Sequence, residues 1–291
     1  MANNRELEAL FADESHDLHK WIGRGYIPSH YKRLTCSREE AIELAKLGFV
    51  EIMKYYEEST YFTQALIAGA IFSGRYDRIT IVSPSSYGKS WLFGRIGNIM
   101  AYQGEPTYVV AATQDGTKMI MGHVAQSIQT IAPEVQNALL NKKSQLERLT
   151  TSVSKQKIAF ANGGFIEPIT TGDTYEENIS QNKVVGKPGN YLIDEAALIS
   201  EQSFAELGRA EFARVDGRNY IRAMISNPHQ PGFFYTELTK ADEEIRKREI
   251  IIWMDALTAV EEERLTKEKV YNSTFKNNTA ANGSVMRLYT G

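Results

Sequence analysis

Short apolar stretches alternating with helical ones constrain this chain more than any other feature. Ile79-Thr80-Ile81-Val82 reads as a strand, Trp91 to Met100 as a helix, and Thr107 to Ala112 as a second, buried strand. Strand, helix, strand at this spacing calls for a right-handed parallel crossover. The alternation resumes with Tyr191-Leu192-Ile193, a helix to about 214, a strand from Tyr220 to Ile225, a helix over 232–247 and a strand over 249–254. Such a pattern predicts an α/β fold with a mostly parallel central sheet covered by helices on both faces.

Around this alternation the local signals are mixed. Residues 1 to about 35 are polar with aromatic punctuation and suggest a helical N-terminal arm. Ser37-Arg38-Glu39-Glu40 is a capping box that opens a helix with apolar residues at Ile42, Leu44, Leu47, Val50, Ile52 and Met53. A helix is expected over 60–73, another over 116–131 with a helical segment to 141, and a hairpin from Lys157–Phe160 and Phe165–Thr170 around Asn162-Gly163-Gly164. The expected organisation is an arm over 1–58, a core over 59–256 and a charged helical or irregular tail over 257–291.

Composition removes several function classes. A chain of 291 residues with 42% hydrophobic residues can bury a sizeable core. Its single cysteine, Cys36, forms no internal disulfide, and no secretory pattern opens the chain, so a reducing compartment is expected and the sequons at Asn272 and Asn277 carry no meaning. The longest apolar run, Ala65 to Phe72, falls far short of the ~20 residues that span a bilayer. A net charge of −3 argues against a globally basic nucleic-acid-binding domain while leaving room for a local basic patch.

Between the first strand and its helix lies Ser83-Pro84-Ser85-Ser86-Tyr87-Gly88-Lys89-Ser90. A flexible small-residue turn followed by Gly-Lys-Ser at a helix start is the layout of a phosphate-binding loop. Backbone N–H groups wrap the anion and the helix points its positive end at it. In that layout Lys89 reaches the β- and γ-phosphates and Ser90 ligates Mg²⁺. The first loop position, usually glycine, is Ser83 here. Gly-Lys-Ser also occurs at ordinary loop-to-helix junctions, so the companions of the loop matter.

The decisive companion is Asp194-Glu195, directly after a short apolar strand. C-terminal strand ends of a parallel sheet gather on one edge, so these carboxylates and the loop can face one crevice. Asp194 would hold Mg²⁺ and Glu195 would polarise an attacking water, although Asp-Glu also suits any helix N-terminus. A third strand tip, Ser226-Asn227-Pro228, offers short polar groups to the γ-phosphate or the water, or is a plain turn. Gln64, on the element before the loop strand, can pair its amide with an adenine edge while Tyr61 or Phe62 covers the ring. The guanine-reading Asn-Lys-x-Asp is missing, which favours ATP. His16 and His19 lack a second ligand cluster, Cys36 has no assignable partner, and Arg246-Lys247-Arg248 reads as a solvated helix end.

Over about 60–255 these residues resemble the ATPase domain of the large terminase subunit, the motor that drives viral DNA into a preformed capsid. The resemblance rests on Gln64, the degenerate loop beginning at Ser83, Asp194-Glu195 and Ser226-Asn227-Pro228. It implies an additional-strand (ASCE, RecA-like) P-loop NTPase with ATP and Mg²⁺ as cofactors. Lys89 and Ser90 would sit on phosphate and metal, Asp194 on metal, Glu195 as the catalytic carboxylate, and Ser226-Asn227 as the coupling element. The implied partners are double-stranded DNA, a portal protein, a small terminase subunit and further copies of the chain in a ring, at the procapsid in the host cytoplasm. Many relatives carry an arginine inside the loop, whereas this one reads Pro84-Ser85-Ser86-Tyr87. Arg95, Arg209, Arg214 and Arg218 are candidate substitutes, and a neighbouring subunit could supply one in trans. Nothing after Asp255 offers the spaced acidic strands of the nuclease that follows the ATPase in full-length relatives, so an ATPase truncated before its nuclease is expected. A helicase-like translocase would share the Gln64 and Asp-Glu logic, and a nucleotide-binding assembly switch would share the loop without turning over.

Overall fold

The computed structural model describes residues 28–56, 58, 60–131, 157–160, 162–171, 187–211, 220–227 and 232–267, with backbone only for 208–211. Eight strands form one sheet in the order β1-β8-β2-β7-β6-β3-β5-β4. The strands are β1 (Tyr31–Leu34), β2 (Arg78–Val82), β3 (Pro106–Ala111), β4 (Ile158–Ala159), β5 (Phe165–Thr170), β6 (Asn190–Asp194), β7 (Arg222–Ser226) and β8 (Glu249–Met254). The six inner strands run parallel, and the two edges, β1 on β8 and β4 on β5, are antiparallel. The helices are α1 (Arg38–Tyr56), α2 (Phe62–Phe72), α3 (Lys89–Tyr102), α4 (Gln114–Gln129), α5 (Glu201–Glu211), α6 (Phe233–Thr239) and α7 (Ala256–Glu261).

Period-2 alternation in the strands sorts the core into two layers. Ile79, Ile81, Val109, Leu192, Ile225, Ile250 and Ile252 face one apolar cluster, which packs under α1 to α4. Their neighbours Val82, Tyr108, Val110, Tyr191, Ile193, Met224, Ile251 and Trp253 face a second cluster with Phe204, Leu207, Phe234 and Leu238 of α5 and α6. Both faces are therefore covered, which is why the inner strands read as nearly continuous apolar runs.

Helix α2 is buried almost all round, from Phe62 to Ile71. It sits against α1 at a distance only glycine permits. A Cβ on Gly69 would lie 1.7 Å from the Leu44 carbonyl oxygen, and one on Gly48 1.9 Å from that of Ala65. This clamp fixes the helix that carries Gln64 against α1.

The expected alternation and the hairpin are present; Phe160 N–H donates to Gly164 O at 2.8 Å across its turn. The capping box also forms, Glu40 N–H donating to Ser37 Oγ at 3.1 Å. Three local expectations are corrected. Residues 31–34, read as part of a helical arm, form an edge strand, because the open edge of β8 offers its ladder groups to them. The helix expected over 232–247 ends at Thr239 and a 3₁₀ turn follows at 242–244. Arg246-Lys247-Arg248 consequently belongs to a turn before β8, where Arg248 pairs with Asp77 at 3.0 Å. The helical segment to 141, His16 and His19 fall outside the described residues. No described helix is long and apolar enough to cross a membrane.

Candidate functional site

Strand β2 delivers the phosphate loop at the C-terminal edge of the sheet, and the loop's conformation explains its sequence. Left-handed backbone falls at Ser86 (φ 63°) and Gly88 (φ 90°), and Ser83 lies outside that region. Glycine is therefore not required at the first position. Ser83 is instead wholly buried, and its N–H donates to Ser226 O at 3.2 Å, extending the β2–β7 ladder by one residue. Gly88 is the N-terminal boundary of α3, whose first residues are Lys89 and Ser90.

Strand β6 ends in Asp194, 3% exposed, and the chain then turns left-handed at Glu195 (φ 50°, ψ 39°). That conformation costs a side-chain-bearing residue on the order of 1 kcal/mol, and it persists only when the surroundings determine it. Here Glu195 N–H donates to Asp194 Oδ1 at 2.9 Å, Leu198 N–H to Glu195 O at 2.9 Å, and Ala197 N–H to Ser226 Oγ at 3.1 Å. The turn aims the Glu195 carboxylate at the first turn of α4: a Cβ on Gly116 would lie 3.8 Å from Glu195 Oε2.

The tips converge on one cavity of ≈ 660 Å³, lined among others by Gln64, Gly88, Lys89, Ser90, Asp194, Glu195 and Asn227. Ser90 Oγ donates to Asp194 Oδ2 at 2.6 Å across 104 residues of sequence. Lys89 Nζ donates to Asn227 Oδ1 at 2.9 Å and to Pro84 O at 3.3 Å, and Asn227 Nδ2 donates to Ser85 Oγ at 2.9 Å. Burial lowers the Lys89 pKa, and the nearby Asp194 and Glu195 carboxylates oppose that shift. An ammonium, a hydroxyl, two carboxylates and an amide, carried by the segments after three strands, thus line one cavity.

The other end of the cavity is built differently. Gln64, 3% exposed, donates through Nε2 to Tyr87 O at 3.3 Å and accepts from Tyr61 N–H at 3.3 Å. One amide hydrogen and one oxygen lone pair remain for a ligand. Of the two aromatic candidates, Tyr61 lines the cavity, whereas Phe62 is wholly buried in the core. The Tyr87 ring points away from the cavity, and its hydroxyl donates to Glu262 Oε2. Glu262 also accepts from Thr63 N–H at 2.8 Å and from the Thr63 hydroxyl, which meets Tyr31 Oη at 2.6 Å. Burial pushes the Glu262 carboxyl up to about 7, with the Thr63 and Tyr87 hydrogen bonds holding it back. The segment after α7 is thereby pinned beneath the loop.

The candidate residues divide as follows. Ser85, Ser86, Gly88, Lys89, Ser90, Gln64, Asp194, Glu195 and Asn227 line the cavity; Ser83, Pro84, Tyr87 and Ser226 support it from behind. Arg95 is not brought to it. At about 100° per residue, Arg95 lies about 140° round α3 from Ser90 and one turn beyond Trp91. It stacks 3.8 Å from the Trp91 ring centre and donates to Glu58 Oε1 at 2.8 Å. The Arg209 side chain, Arg214 and Arg218 fall outside the described residues. Burial pushes the Cys36 thiol up to about 12, far from a reactive thiolate.

Trp91, Met119, His123 and Arg264 also line the cavity, and sequence reasoning passed over all four. Trp91 follows the loop directly and was available as a signal. His123 and Met119 reach the cavity because Gly94 lets α3 approach α4, a Cβ there lying 2.9 Å from His123 Cβ. Arg264 comes from the charged run after α7, which carries no local sign of a site.

No protein-family model matches the chain, and no curated protein matches it. Among solved structures it is similar to a mutant of the large terminase ATPase domain of Thermus phage P74-26. The two share 15% identity over 63% of this chain and 71% of that one, with a TM-score of 0.44. At that distance the likeness carries no argument about chemistry.

Proposed function

We propose that this chain is a Mg²⁺-dependent ATPase of the additional-strand P-loop type, acting as the motor domain of a terminase-like machine that moves double-stranded DNA. The observation that carries the enzymatic part is the 2.6 Å contact between Ser90 Oγ and Asp194 Oδ2, with Lys89 and Glu195 at the same cavity. A hydroxyl and a carboxylate are the hard oxygen donors Mg²⁺ takes beside nucleotide phosphates. Mg²⁺ held there would neutralise charge on the transferring phosphoryl group. Sheet order supports the subclass, because β7 is inserted between the loop strand β2 and the Asp194 strand β6.

In this reading Gln64 reads the adenine edge with its spare amide hydrogen and lone pair. Lys89, now held by Asn227 and Pro84, turns to the phosphates. Glu195 orients the attacking water from its left-handed turn, and Asn227, bonded to both Lys89 and Ser85, registers what occupies the loop. The catalytic core is proposed to run from about residue 59 into the segment holding Glu262. The translocation of viral DNA, with portal and small-subunit partners, rests on the sequence resemblance through Gln64, the loop, Asp194-Glu195 and Ser226-Asn227. The test is phosphate release from ATP with and without Mg²⁺. Lys89→Ala and Glu195→Gln should each abolish Mg²⁺-dependent turnover, Glu195→Gln while still binding ATP. Near-normal hydrolysis in both would overturn the assignment, and tight ATP binding by the unmodified chain with no turnover at any protein concentration would favour an assembly switch.

A further inference from the structure

A lysine and an arginine line the cavity among the described residues, and the proposed reaction uses only Lys89. The second is Arg264. Its backbone is fixed: Arg264 N–H donates to Ala259 O at 2.8 Å, and the left-handed turn at Glu263 (φ 61°) separates buried Glu262 from it. Glu262 faces inward to Thr63 and Tyr87, and Arg264, two residues later, lines the cavity. Its guanidinium lies 5.1 Å from the Tyr61 ring centre and makes no hydrogen bond or ion pair with any described residue. By contrast Arg33, Arg75, Arg95 and Arg248 are all paired with carboxylates.

Its position along the cavity is set by Gly88. A Cβ there would lie 3.4 Å from Arg264 Nη2 and 3.2 Å from Gln64 Nε2, so guanidinium and amide stand side by side against the loop. Lys89 Nζ is occupied elsewhere, by Asn227 and Pro84. One cation therefore serves the strand-tip end and the other serves the end where Gln64 presents its free amide valences. A planar guanidinium with an unsatisfied edge, already over an aromatic ring, stacks on a flat π-system.

We infer that Arg264 is a nucleotide-contacting residue supplied in cis, stacking on the base of the bound nucleotide beside Tyr61 and Gln64. The inference rests on the proposed ATP site, whose occupant it specifies further. Arg264 thus acts on the base and leaves the transferring phosphate to Lys89 and to any arginine from a neighbour. The segment after α7 joins the site through it, so base occupancy is felt by residues that Glu262 ties to the loop.

The experiment compares ATP, ADP and inorganic tripolyphosphate binding by calorimetry to the full chain and to Arg264→Ala, Arg264→Lys and Lys89→Ala. Arg264→Ala should weaken ATP and ADP by about tenfold, within the range of a desolvated cation–π contact. Tripolyphosphate affinity should not change. Arg264→Lys, which keeps the charge and loses the plane, should recover little. Lys89→Ala should weaken ATP and tripolyphosphate together. Nucleotide affinities unchanged in Arg264→Ala while Lys89→Ala loses binding would overturn this inference alone, as would an equal loss for tripolyphosphate, which would make Arg264 a phosphate contact. Failure of the unmodified chain to bind ATP would overturn the ATP site and this inference with it.

Discussion

The two ends of the cavity are held by different means. At the strand-tip end, Lys89, Ser90, Asp194, Glu195 and Asn227 follow strands of the parallel core of one sheet, whose ladders bring Ser90 to Asp194 and Lys89 to Asn227 within a hydrogen bond. At the Gln64 end, the positions come from a buried helix and a side-chain knot of Tyr31, Thr63, Tyr87 and Glu262 drawn from four separate segments. Backbone hydrogen bonding is the same for almost any side chain, whereas the knot works only with these ones. The proposed chemistry would thus be mounted on the part of the fold least sensitive to sequence, and the proposed ligand fit on the part most sensitive to it.

Substitutions can break that contrast. The largest effect is expected at the strand tips: Asp194→Asn should lower Mg²⁺-dependent turnover by about 10²–10³-fold, the scale of losing one charged stabiliser of the transition state. Its melting temperature should stay close to that of the unmodified chain, because asparagine keeps Oδ1 for the Glu195 N–H and its amide can donate to Ser90 Oγ. A large loss of stability with little loss of turnover would reverse the assignment of roles. At the other end Gly69→Ala should act mainly on stability, since its Cβ would meet the Leu44 backbone at 1.7 Å and α1 and α2 must part. A loss of about 3 kcal/mol in urea unfolding is expected, with weakened nucleotide binding as α2 carries Gln64 away. An unchanged midpoint would show that the clamp yields freely.

Tyr87→Phe is smaller and sharper. It removes the hydroxyl bonded to Glu262 and leaves a buried carboxylate oxygen short of a donor, a cost of about 1–3 kcal/mol. The cost should be greater at pH 8 than at pH 6, because Glu262 titrates near 7. The smallest effect, counted per pH unit, is the pH dependence itself. The folded carboxyl is raised above its unfolded value, so its contribution to stability is complete below the unfolded value and is lost as pH rises through about 7. Between pH 5 and 7.5 the unmodified chain should lose up to ~1.4 kcal/mol per pH unit from this group. Glu262→Gln should flatten that slope in thermal melts, and an unaltered slope would remove Glu262 from the account.

The readability of the site follows the same division. Asp194, Glu195 and Asn227 could be named from sequence because they close apolar strands with polar tips, and Lys89 and Ser90 because Gly-Lys-Ser opens a helix after such a strand; the sheet converts these local signals into proximity. Gln64 could be named from its place before the loop strand. Arg95, an arginine candidate by its sequence position, does not line the cavity of its own chain, because it stacks on Trp91 and pairs with Glu58. Glu262 and Arg264 stand two apart in a run of charges that resembles solvated tail, and nothing local separates the buried one from the one at the cavity.

Strand–helix alternation by itself determined the parallel sheet, its two covered faces and the loop at its C-terminal edge, because period, polarity and turn chemistry act within a few residues. Only the tertiary structure decided that Ser83 needs no glycine, that Tyr87 points inward, and that the segment beyond the last strand returns beneath the loop to offer Arg264. Those outcomes depend on φ angles, helix phase and pairings between residues up to 199 apart. Such long-range terms exist only once the whole core has closed around them.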